Sequence, residues 1–82
     1  MTRTIDVDMS VATNSPAKAF DRFFKKYPDL EYWRGELEYM AEVGCDFECD
    51  NLWADGTRKP WSWALHLDIE EGHIYIAVVE RA

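Results

Sequence analysis

The stretch Ile74-Tyr75-Ile76-Ala77-Val78-Val79 is apolar at every position, and this constrains the fold more than any other feature of the chain. A strand with one wet face alternates apolar and polar residues. A strand apolar on both sides of its pleat belongs inside a sheet, with a neighbour along each edge. The rest of the chain has to supply those neighbours.

Residues 4–11, Thr-Ile-Asp-Val-Asp-Met-Ser-Val, place Ile5, Val7, Met9 and Val11 on one side and Asp6 and Asp8 on the other. That alternation predicts a half-buried first strand. Cys45, Phe47 and Cys49 alternate with Asp46, Glu48 and Asp50, and Trp61, Trp63, Leu65, Leu67 and Ile69 form a longer apolar row. Between them, Ala54-Asp55-Gly56-Thr57 reads as a three-residue hairpin loop closed by glycine. Such a loop pairs Trp53 with Thr57, Cys49 with Trp61, Phe47 with Trp63 and Cys45 with Leu65. Glu71-Gly72 then turns the chain into the final strand.

Two helices fall between the first strand and the second. Ser15 precedes Pro16, an N-cap followed by proline at the first helical position. Phe20, Phe23, Phe24 and Tyr27 line one face of that helix, Lys18, Arg22 and Lys25 the other. Pro28 ends it. The second helix is expected from Pro28 or Asp29 to Gly44. Leu30, Trp33, Leu37, Met40 and Ala41 form its buried stripe, and Glu31, Gly35, Glu38 and Glu42 its exposed one. Gly35 inside that pattern costs about 1 kcal/mol relative to alanine. The expected fold is α+β, two helices packed on one face of a mainly antiparallel four-stranded sheet, in the order β-α-α-β-β-β. The last strand lies inside the sheet, giving the spatial order 2-3-4-1.

Eighty-two residues make one domain, 1–82, and a chain this short needs a dense apolar set to fold. Four Trp, four Tyr and four Phe supply it. No signal peptide or membrane-spanning run is apparent, and Cys45 and Cys49 are too far apart on a strand to bridge. Reduced thiols fit a cytoplasmic protein.

The formal net charge is −7, and its distribution is uneven. Asp29, Glu31, Glu36, Glu38, Glu42, Asp46, Glu48 and Asp50 stand against Arg34 alone, so residues 29–50 carry the whole excess. Lys18, Arg22, Lys25 and Lys26 are the one positive cluster, which reads as a solvated helix face. An acidic field of this kind repels nucleic acid and membrane surfaces and attracts basic proteins. With the helices on one side, the open sheet face would carry Asp6, Asp8, Asp46, Glu48, Asp50, His66, Asp68 and Glu70. This face is expected to continue toward the second helix as one negative platform for a Lys/Arg-lined groove. The candidate partner-binding residues are Glu31, Glu36, Glu38, Glu42, Asp46, Glu48 and Asp50, with Trp53 at the hairpin tip as a candidate hot spot. The bland reading of the carboxylates is a solvated face, and that of Trp53 is local packing.

Catalytic signatures are weak. Cys45-x₃-Cys49 with His66 and His73 has the wrong spacing for zinc, and buried thiols are the plainer reading. His66 and Asp68 share a strand face, but no nucleophile with supporting context and no phosphate-binding loop accompanies them. The expectation is no enzyme, no cofactor and no metal.

Taken whole, an acidic chain of about eighty residues with no catalytic motif and a compact α+β pattern resembles the small acidic anti-CRISPR proteins of phages. The resemblance is one of kind and rests on no alignable motif. It implies an inhibitor that blocks the DNA-binding surface of a CRISPR effector subunit or another nucleic-acid-binding protein, with Glu31 through Asp50 standing in for phosphates. The basic first helix departs from a pure nucleic-acid mimic. The alternatives are an immunity protein or antitoxin that neutralises a basic toxin or nuclease, and a small ligand-binding domain or enzyme built around His66.

Overall fold

A computed structural model describes residues 4–44, 47–49, 55, 57 and 62–81. Strand β1 (Ile5–Val11) leads into helix α1 (Pro16–Lys26). A 3₁₀ helix (Pro28–Trp33) runs directly into α2 (Arg34–Val43), and β2 (Phe47–Cys49), β3 (Ser62–Glu70) and β4 (His73–Arg81) follow. The strands lie in the order β1-β4-β3-β2, each pair antiparallel. β4 sits between β1 and β3, as its apolar residues on both faces require.

The expected four-stranded sheet needs correction. Three strands, of seven, nine and nine residues, make the body of the sheet. β2 contributes only a three-residue ladder at the edge of β3. Its register also differs: Phe47 pairs with Leu65 and Cys49 with Trp63, two residues along β3 from the expected partners. A two-residue shift preserves the side-chain period, so alternation alone cannot detect it, whereas a one-residue slip would have turned every side chain over. Cys45, Trp53 and Trp61 lie outside the described residues, so the expected pairings that involve them are not seen. Within the loop, Asp55 Oδ1 accepts from the Thr57 amide at 3.0 Å and its hydroxyl at 2.7 Å, and this holds the Asp55 carboxyl below its ordinary pKa.

Helix α1 begins as its sequence dictates: Pro16 occupies the first turn, and Ser15 Oγ accepts from the Lys18 amide at 3.3 Å. Ala19, Phe20, Phe23 and Phe24 are buried, with the Phe23 ring set edge-on to Phe24 at 5.1 Å. The second helix does not run unbroken from Pro28. Its first six residues are 3₁₀, and the threefold repeat puts Leu30 and Trp33 on one side, both turned to the core. From Arg34 the coil widens to α, burying Leu37 and Met40, and Gly44 closes it at φ +73 with its N–H on the Met40 carbonyl.

One cluster joins the layers. Phe20, Phe23, Leu37 and Met40 from the helices meet Val11, Leu65, Ile74, Ile76 and Val78 from the sheet. Both helices therefore cover the same sheet face, and among the described residues nothing covers the other. The β3–β4 turn places Gly72 at φ +87, where glycine is favoured. The Gly72 amide donates to Asn14 Oδ1 at 2.7 Å, tying this hairpin to the β1–α1 connection.

Candidate functional site

The pairing register fixes what the open face presents. Asp8, Ala77 and His66 lie in one cross-strand row, and Ser10, Tyr75 and Asp68 in the next. Asp6, Val79 and Ala64 form a third row, which Glu48 of β2 extends by register. Down the middle runs a spine from β4, Tyr75, Ala77 and Val79. Ala77 is only 6% exposed although no helix covers it, because its neighbours close over a side chain of one carbon. Asp6 and Asp8 flank the spine on one side, and Asp68 and Glu70, all exposed, on the other.

β4 stands between the two acidic edges, which puts them about 10 Å apart. That is roughly one Debye length in physiological salt, so their repulsion is largely screened. Among the described residues, Asp8 and Glu70 have partners. Asp8 Oδ2 accepts from the Tyr75 hydroxyl at 2.9 Å, and this bond, followed by desolvation and the charges of Asp8 and Asp6, raises the Tyr75 pKa above its ordinary 10. Glu70 Oε2 lies 3.1 Å from His73 Nε2, an ion pair when the imidazole is protonated.

The acids of the second helix form a separate surface. Glu31, Glu36, Glu38 and Glu42 are all exposed on the helical layer, and the open sheet face is on the far side of the core. The expected single platform is therefore two surfaces. The reason is architectural, because a helix packed over a sheet directs its polar stripe away from it. Arg34, the only base of the acidic segment, points back into the molecule. Its guanidinium bonds Glu31, reaches Asp21 of α1 at 3.1 Å and lies over the Phe24 ring at 4.9 Å. The Glu31 bond leads in raising its pKa, against some desolvation. Interleaved with these acids are Tyr32, Tyr39 and Val43, at 60%, 54% and 45% exposure. Of the remaining candidates, Glu48 is placed by backbone alone, and Asp46, Asp50 and Trp53 lie outside the described residues.

Two features were not foreseen from sequence: the apolar spine and the exposed tyrosines. The spine was visible as the second apolar face of residues 74–79, a face that the order of strands leaves uncovered. Tyr32 and Tyr39 carry no periodic signal because they fall outside both stripes of the helix.

His66 and Asp68 line a shallow depression with Leu67 and Tyr75. Both side chains are exposed to solvent. Among the described residues no group of three or more His, Cys, Asp and Glu is placed to hold a metal ion, and no helix is long and apolar enough to cross a membrane. The chain matches no protein-family description, no curated protein and no solved structure.

Proposed function

We propose that this protein is an acidic protein-binding inhibitor that occupies a basic nucleic-acid-binding surface of a host defence complex, as the anti-CRISPR proteins it resembles do. The observation that carries the reading is the open sheet face, where carboxylates flank an apolar spine on both sides. A nucleic-acid-binding groove is lined by Lys and Arg on its walls. The carboxylate edges pair with such walls, and the smooth spine lets the two surfaces close together. Paired strands hold the array rigid before binding, so little side-chain order remains to be imposed. Carboxylates accept Arg bidentately as phosphates do, which makes them competent stand-ins.

The test is co-purification from a lysate of a CRISPR-bearing bacterium with the tagged protein. A nucleic-acid-binding effector complex is expected at low salt and lost when DNA is added in excess. The triple variant Asp6→Lys, Asp8→Lys, Asp68→Lys is expected to release it while circular dichroism stays unchanged. A complex retained equally by the folded triple variant contradicts the reading.

A further inference from the structure

The helical layer presents two stripes of opposite sign side by side. Lys18, Arg22 and Lys25 recur at i, i+4 and i+7 on the outer side of α1, all exposed. Glu38 and Glu42 stand at i and i+4 on α2, also exposed, and Glu31 of the 3₁₀ helix, bonded to Arg34, lies before them. The two helices pack against each other, and the Asp21–Arg34 pair spans the seam. From these stripes we infer that the outer face of the helical layer is the interface of a homodimer, α1 of each copy lying on α2 of the other.

The charge pattern selects the symmetry. A two-fold axis running along the seam, in the plane of the interface, sets the basic stripe of each copy on the acidic stripe of its mate. An axis in that plane but across the helices sets α1 on α1 and α2 on α2, like charge on like. Only the first is attractive, and it is isologous, so it closes at two copies without leaving an open end.

Two further observations point to an occupant of this face. Two of the four large apolar side chains exposed among the described residues, Tyr39 and Val43, lie on α2, and tyrosine is enriched at interface hot spots, whereas a third, Tyr32, donates its hydroxyl to Glu80 of β4. Gly35 lies between the two tyrosines, and a Cβ built there would meet nothing within 4 Å. Nothing described in the chain requires glycine at that point, whereas the helix of a second copy approaching closely does. The occupant is a second copy rather than a foreign basic protein because the complementary stripe is carried beside it, Lys18 and Arg22 having the same four-residue spacing as Glu38 and Glu42. Helices of eleven and ten residues are about 15 Å long, so the footprint falls at the small end of stable interfaces. The dimer is therefore reversible and sensitive to salt. It is independent of the reading of the sheet face.

Sedimentation of the full chain tests this. At low salt and high concentration the mass of two chains is expected, falling to one chain on dilution or in 1 M salt. Lys18→Glu with Arg22→Glu in one variant, and Glu38→Lys with Glu42→Lys in another, are each expected to sediment as one chain. Their equimolar mixture is expected to regain the mass of two, because reversed stripes then face each other in complementary order. Both variants keep a net negative charge, −11 and −3 from the native −7 with a change of four each way. Overall attraction therefore cannot produce the recovery. A wild-type chain that stays single at low salt, a single variant that stays paired, or a folded mixture that fails to pair overturns the inference.

Discussion

Asp8 and Tyr75 are 67 positions apart in the chain, yet their bond crosses the open face diagonally between β1 and β4. Below pH 10 the phenol is protonated in the folded and unfolded chain alike. Its pKa is raised in the folded state, so the unfolded chain loses the proton first as pH rises. The stability linked to this group is complete below pH 10 and is lost as pH climbs through the folded pKa. Ultraviolet titration of tyrosinate is expected to show one phenol ionising late, and Asp8→Asn is expected to return it toward 10. No change in that variant would break the assignment. Gly35 offers a second test at this scale. With open space around its Cα, Gly35→Ala is expected to stabilise the chain by up to about 1 kcal/mol in urea unfolding. The effect belongs to the single chain and is best read in the charge-reversed background, where no mate competes for the space.

At the scale of elements, the caps and stripes of the helices were legible because each rests on a local rule. Ser15 and Pro16 fix the start of α1, and Gly44 fixes the end of α2. Ser15→Ala is expected to cost about 1 kcal/mol, read as a lower urea midpoint with an unchanged slope. Leu37→Ala, which empties a fully buried site beneath α2, is expected to cost about 2–5 kcal/mol. The 3₁₀ opening was not legible, because Leu30 and Trp33 satisfy both a threefold and a 3.6-fold repeat. The register of β2 was missed for a similar reason. Apolar residues alternate along both β2 and β3, and every two-residue shift brings apolar opposite apolar again. Alternation fixed which faces match but not which residues.

At the scale of the whole molecule, the charge total was readable from composition and the acids of the sheet face from alternation, but the separation of the helical acids from that face was not. Eight carboxylates between positions 29 and 50 suggest one surface, but a two-layer fold sends the acids of a covering helix and those of the uncovered sheet in opposite directions. The sheet face gathers Asp6 and Asp8 of β1 with Asp68 and Glu70 of β3, a grouping that alternation along the strands already indicated. Helical layers back to back would leave two such sheets facing outward on opposite sides of a dimer. Each could then engage a basic surface, and linked engagement raises avidity without new contacts. Contacts made by exposed carboxylates weaken as salt rises, so salt dependence should accompany any partner.

The most direct test of the central claim is displacement of labelled DNA from a purified CRISPR effector complex, followed by fluorescence anisotropy at 50 mM and 200 mM salt. The protein is expected to lower the anisotropy at 50 mM salt, with less effect at 200 mM and little when Asp6, Asp8 and Asp68 are reversed to lysine. DNA that stays bound at saturating protein in 50 mM salt, or equal displacement by the folded triple variant, would contradict the assignment of the acidic sheet face as a stand-in for nucleic acid.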